Sequence, residues 1–145
     1  SDENHKVRNG LMGGLKQMGE KNPVPTLQFA QEHIHDPDPE VRRIIVHGIE
    51  LRGRTHPEDV LPLLHELQDE EHPRVRKMVV HVLGQISYKE GCLEKVIPAL
   101  KNWNNQDLLK DALNEIISVH KRYKFAPKTS EEVEKYLQRE FEYGD

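Results

Sequence analysis

The sequence predicts an all-α fold, an α-solenoid of about four helical hairpins with a closing C-terminal helix, and three observations carry that reading. A pattern recurs every 34 residues, the apolar residues of each copy fall at helical spacing, and prolines punctuate the copies at matching places.

The repeat is anchored by Val7-Arg8, Val41-Arg42 and Val75-Arg76, each pair 34 residues after the last. Beyond those pairs, Leu11, Ile45 and Val79 share one slot, and Leu15, Ile49 and Leu83 another. Gly14 and Gly48 share a third slot, which Val82 fills in the next copy. A fourth copy starts at Leu108 with a period one residue shorter, placing Ala112, Ile116 and Val119 in the matching slots. A repeat of this length is one supersecondary unit that cannot bury its own apolar face, so copies stack. The copies run over about 2–35, 36–69, 70–103 and 104–141, making 1–145 a single repeat domain or a piece of a longer array.

After each Val-Arg pair the apolar residues recur at offsets of four and eight, with Met18, Ile86 and Val119 added at eleven. That spacing gathers them on one face of a first helix. A second helix follows a polar turn: 59–68 carries Val60, Leu63, Leu64 and Leu67, and 93–103 carries Val96, Ile97, Ala99, Leu100 and Trp103. Pro37, Pro39 and Pro73 precede or open first helices, where a missing N–H costs little. Pro62 and Pro98 correspond across copies, tolerable in the first turn of a second helix and a source of bending if that helix begins earlier. Residues 124–128 read as a loop, and Thr129-Ser130-Glu131-Glu132 as a capping box opening a last helix to about Phe141.

Composition narrows the function classes. Cys92 is the only cysteine, which excludes an internal disulfide framework and a cysteine-rich zinc site. No apolar run approaches the roughly 20 residues of a membrane span, and the N-terminus lacks a signal pattern, so a cytoplasmic protein is expected. The net charge of -4 argues against a coat that is basic all round, while leaving room for one basic face.

The phrases Pro73-Arg74-Val75-Arg76 and Leu83-Gly84-Gln85-Ile86 resemble the HEAT repeat and its HEAT-like relatives, and the resemblance covers nearly the whole chain. The Trp, Gly-Tyr and Ala-Phe landmarks of tetratricopeptide repeats are absent, as is the ankyrin Thr-Pro-Leu-His signature. The resemblance implies a right-handed superhelix and a structural ladder in which an acidic residue of the inter-repeat turn bonds the arginine of the Val-Arg pair. Asp2 with Arg8, Asp36 with Arg42 and Glu70 with Arg76 each stand six residues apart and fit that ladder.

With core and ladder set aside, a row remains: Arg43 with His47, Lys77 with His81, and Lys110 with Asn114. Residues four apart share a helix face, and stacked helices lie roughly 10 Å apart, so the row predicts a basic, hydrogen-bonding stripe over three repeats. Asn9 and Gly13 weaken it at one end. Ordinary solvated surface is the competing reading. Two aligned histidines are too few for a zinc site, and the others (His33, His35, His56, His65, His72, His120) share no converging spacing. The repeated His-Glu pairs of HEAT-like di-iron hydroxylases are missing. Neither a metal nor another cofactor is expected.

No catalytic group is placed either. Cys92 follows Gly91 in a turn without a base, and there is no nucleophile elbow or Gly-rich phosphate loop. Two classes of function follow. The first is a protein-binding scaffold, for which Glu58, Asp59, Glu66, Asp69, Glu70 and Glu71 offer an acidic flank. The second is nucleic-acid binding, since the repeat and the phrase His56-Pro57-Glu58-Asp59-Val60-Leu61 are similar to the HEAT-like DNA alkylation repair glycosylases. That resemblance transfers no catalytic residue, and Trp103 reads as core. DNA phosphates would meet Arg43, Lys77 and Lys110 first, with Arg52 and Arg54 from the following turn. Leu11, Met12, Leu15 and Met18 put apolar groups on more than one side of the first helix, which suggests self-association or a missing N-terminal portion.

Overall fold

A computed structural model of the chain describes residues 23–141, and in it every regular element is a helix. In chain order these are α1 (Pro23–His33), α2 (Pro39–Gly48), α3 (Glu50–Thr55), α4 (Pro57–His65), α5 (Pro73–Gln85), α6 (Leu93–Leu100), α7 (Gln106–Arg122) and α8 (Ser130–Phe141). They form an all-α solenoid of two layers. In one layer α2 packs on α5 and α5 on α7, and in the other α1 packs on α4 and α4 on α6. The last helix, α8, packs on α7.

The starts of α2 and α5 lie 34 residues apart and those of α5 and α7 lie 33 apart, matching the shortened period of the fourth copy. Each start is capped by the residue before it. The Asp38 carboxylate accepts from the Glu40 N–H, His72 Nδ1 from the Arg74 N–H, and Asn105 Oδ1 from the Leu108 N–H. Pro39 and Pro73 occupy the first helical position, where φ is already suitable and no N–H is needed. At the far end Thr129 and Glu132 complete a reciprocal capping box: Oγ1 of Thr129 accepts from the Glu132 N–H, and Oε1 of Glu132 accepts from the Thr129 N–H.

The slots read from the repeat line the core. Val41, Ile45 and Ile49, then Val75, Val79 and Leu83, then Leu108, Ala112, Ile116 and Val119 are all buried. All of these but Val119 join Val60, Leu63 and Leu64 of α4 and Val96, Ile97 and Leu100 of α6 in one continuous cluster. Two expectations need adjusting. The second helices begin at Pro57 and Leu93, so Pro62 and Pro98 are each the sixth residue, inside the helix rather than in its first turn. Both helices then stop at His65 and Leu100, three residues short of the expected ends. The backbone closes there with bonds from Leu67 to Leu64, Gln68 to His65, Asn102 to Ala99 and Trp103 to Leu100, the tightened spacing common at helix ends. Leu67 and Trp103 stay buried through that turn.

Close approach of the layers depends on Gly53 in α3. A Cβ there would lie 2.7 Å from Ile86 Cγ2 and 2.7 Å from Val60 Cγ2, both on buried β-branched side chains with little freedom to move. At Gly84 a single atom lies as close as 2.7 Å, Glu115 Cγ on a partly exposed side chain, with the buried Val119 Cγ2 next at 3.0 Å. Gly53→Ala is therefore expected to destabilise the fold by about 1–3 kcal/mol through overpacking, despite alanine's better helix propensity. Gly84→Ala should cost less. Urea denaturation of both variants checks the order, and equal midpoints would contradict it.

Candidate interaction surface

The arginines of the repeat reach forward. Arg42 Nε and Nη2 bond Oε2 and Oε1 of Glu70 at 2.8 and 2.9 Å, while Nη1 donates to the Asp36 carbonyl at 2.7 Å. Arg76 likewise turns to Asp111 in the next repeat, at 2.7 Å. Arg42 is thus joined to the turn carboxylate of the following copy and Arg76 to a carboxylate within the following first helix, whereas the six-residue spacing pairs them with Asp36 and Glu70 of their own turns. Those two carboxylates serve their own turns, accepting from the backbone N–H of Asp38 and His72 respectively. Burial is the largest single influence on Glu70 and pushes its carboxyl up, but Arg42 and the His72 N–H together hold it below the ordinary carboxylate range. Asp2 and Arg8 lie outside the described residues, as does the N-terminal surface expected to self-associate.

Adjacent turns are clamped in the same forward sense. Gln68 Oε1 accepts from the N–H groups of Asn104 and Asn105 at 2.7 and 3.2 Å, and Asn105 Nδ2 donates to the Gln68 carbonyl at 3.0 Å.

The stripe residues sit on α2, α5 and α7, three helices packed side by side. His47, Lys77, Lys110 and Asn114 are exposed. Arg43 is half-buried against Glu40, and Arg74 of α5 reaches that same carboxylate at 3.5 Å. His81 lies 3.2 Å from Glu50. Together with Arg76 and Asp111 these pairs make the surface one of alternating sign rather than a basic stripe. The charges added from the turn are also engaged, Arg52 by Asp59 and Arg54 by Glu50.

Glu50 is the least ordinary of these groups, because it is only 6% exposed and lies between two cations. His81 meets its Oε1 as an ionic contact and Arg54 meets its Oε2. Desolvation is the strongest effect on Glu50 and acts upward, yet His81 and Arg54 together outweigh it and lower the carboxyl's pKa. His81 is correspondingly raised, first by Glu50 and further by Glu115, against opposition from burial and Arg54.

The other histidines serve separate local contacts, with Glu66 at His35, Thr55 at His56, and Gln68 and Trp103 at His65. His120 differs from these: it is buried, donates from Nδ1 to the Ile116 carbonyl at 2.8 Å, and is pushed down in pKa by desolvation. Among the described residues no cluster of three or more His, Cys, Asp or Glu side chains is placed to hold a metal. Cys92 is buried, donates its S–H toward the Arg54 carbonyl at 3.5 Å, and has its thiol pKa raised by burial, the opposite of an activated nucleophile.

Repeat spacing passed over a group of aromatic side chains. Tyr88, in the turn between α5 and α6, meets Tyr123 and Phe125, in the turn between α7 and α8, edge to face at 5.0 and 5.8 Å. Tyr123 and Phe125 are stacked at 5.2 Å, and the Tyr123 hydroxyl accepts from Gln85 Nε2. The signal available in the sequence was an aromatic at nearly the same place in two successive turns.

Two layers of stacked hairpins, joined by forward-reaching side chains, define a helical-repeat protein. The family of HEAT repeats matches residues 27–117, and the chain belongs to that family. No curated protein and no solved structure matches it. Among the described residues, no helix is long and apolar enough to cross a membrane.

Removing Arg42 should leave the largely buried Glu70 carboxylate without its partner, so Arg42→Met is expected to cost about 3 kcal/mol, and the double variant with Glu70→Gln less than the sum. A double-mutant cycle in urea checks this, and additive costs would deny the pairing. The second expectation concerns pH. Because His81 is raised above 6.5 in the folded state, its contribution is fully present below 6.5 and fades as pH rises through its folded pKa. Because Glu50 is lowered below 4.5, its contribution is present above 4.5 and fades as pH falls through its own. The stability lost in His81→Asn should therefore be greatest between 4.5 and 6.5 and shrink as pH rises through the raised folded pKa of His81. A loss that does not change with pH would contradict the pairing.

Proposed function

We propose that the chain is a non-catalytic binding scaffold that recognises a protein partner across the exposed side of α2, α5 and α7. HEAT repeats serve generally as protein-interaction scaffolds. The observation that supports this surface is its row of exposed polar side chains on three stacked helices, His47, Lys77, Lys110 and Asn114, set among carboxylates already engaged by arginine. Lys77 and Lys110 make no ion pair among the described residues, so both remain available to a partner's acidic groups. Interleaved signs favour a mixed-charge partner and give specificity through register more than through bulk attraction.

Duplex DNA is less well suited. A phosphate contact from Arg43, Arg52 or Arg54 would compete with Glu40, Asp59 or Glu50, and the remaining free cations are too few for the phosphate-neutralising row that duplex binding uses.

Affinity capture from cells of the source organism, followed by titration of the captured protein, tests this reading. Lys77→Glu with Lys110→Glu should weaken a partner by about tenfold or more without moving the melting temperature. Labelled duplex DNA, plain and alkylated, is the counter-test. Micromolar, salt-sensitive DNA binding that the same double substitution abolishes would replace the scaffold reading with the nucleic-acid one.

A further inference from the structure

The turns that join the helices within successive hairpins fall on one edge of the stack. Arg54 and Thr55 end α3, residues 86–92 join α5 to α6, and residues 123–129 join α7 to α8. Between them runs an open cleft of about 460 Å³, whose lining includes Arg54, Tyr88, Lys89, Glu90, Cys92 and Phe125. Its aromatic wall is built rather than incidental. Tyr88 is only 8% exposed and is wedged edge to face against the other two rings. Phe125, stacked on Tyr123, is 73% exposed, the most exposed large hydrophobic side chain among the described residues. Gly91, at φ 77°, turns the backbone in the left-handed region and brings Cys92 under the cleft.

The charges around the cleft select the occupant. Lys89 is exposed and makes no ion pair among the described residues. Arg54 adds a cation partly compensated by Glu50, and Glu90 is the single carboxylate in the lining. We propose that this cleft binds an extended peptide segment of a partner protein through one large apolar or aromatic side chain, set against Tyr88 and Phe125, with acidic residues beside it that meet Lys89 and Arg54. The rings touch one another, so they form a ledge and not an open cage that would enclose a cationic group. A nucleic-acid strand fits less well, because a backbone track needs several free cations in line and Glu90 interrupts this one. The volume suits one large side chain and its neighbours, while the aromatic ledge supplies rigid contact area at low entropic cost.

This inference rests on the scaffold reading for the class of partner but uses a different surface, so the two can fail separately. The test is selection of a random peptide library displayed on phage against the full chain, with counter-selection on Phe125→Ala. The enriched clones should share a Trp, Phe, Leu or Met flanked by Asp or Glu. As synthetic peptides they should bind about tenfold more weakly to Phe125→Ala and to Lys89→Glu, and equally well to Lys77→Glu with Lys110→Glu. Phe125 is exposed, so its variant should keep the parent melting curve, and Lys89→Glu provides a second reading if it does not. Enrichment of nothing, a consensus without acidic flanks, equal binding to Phe125→Ala, or displacement by oligothymidylate would overturn the cleft. A loss confined to the Lys77 and Lys110 variant would overturn it too, while leaving the scaffold reading on the α2, α5 and α7 face intact.

Discussion

Arg42 reaches out of its own hairpin into the turn of the next, and much of the structure depends on that direction. A helical hairpin of this size cannot bury its apolar stripe against itself, so its stability is decided at the boundary with its neighbour. At the boundary between the second and third repeats, the bidentate pair of Arg42 with Glu70 holds α2 against the start of α5. The Glu70 carboxylate also accepts the His72 N–H, so one side chain fixes both the turn and the arginine. One repeat further on, Arg76 also reaches forward, but to Asp111 within α7 and not to a turn carboxylate, and with more solvent around the pair, which makes that link the weaker of the two.

Much of this was legible from the sequence, and the reasons it stopped where it did are physical. Apolar spacing and the position of proline depend on a single helix and its cap, so the core slots and the starts of α2, α5 and α7 could be read locally. The partner of Arg42 could not, because carboxylates at positions 36 and 70 are both close to it in a stack and sequence separation favours the nearer. Space favours the other: Asp36 offers its carbonyl to Arg42, while its carboxylate is held by the Asp38 N–H. The charge of the exposed row was obscured in the same way. His81 is compensated by Glu50 and Arg74 by Glu40, pairs 31 and 34 residues apart that no helical periodicity exposes. The ends of α4 and α6 were overestimated because Leu67 and Trp103 continue the apolar pattern through turns that are no longer α-helical.

Two faces with different chemistry result. Along α2, α5 and α7 the surface is polar and alternates in sign, with Lys77 and Lys110 left over after the carboxylates have found arginines. Along the hairpin-turn edge the surface is apolar and aromatic, with Lys89 beside it. These differences follow from what each place must do for the fold. First-helix residues three or four positions apart lie on one face and can be satisfied by charge, whereas the turns must cap the ends of the apolar layer, and Tyr88 does so by burying its ring.

The Glu50 cluster shows how a repeat boundary can be tighter than its apolar contacts alone require. Glu50 and Arg54 belong to α3, which continues the line of α2 after a break at Ile49, whereas His81 belongs to α5. A carboxylate so little exposed is tolerated only because cations from its own helix and from the neighbouring one reach it together. Gly53 lies within that stretch of α3 and lets the backbone approach Val60 and Ile86 where any side chain would hold it off. Close packing at Gly53 and a compensated charge at Glu50, three residues apart, therefore fix the same six-residue helix. Any sliding of α3 relative to α5 would separate Glu50 from His81 and lift Gly53 from Ile86 at once, so this boundary resists graded distortion and should open, when it opens, as a unit.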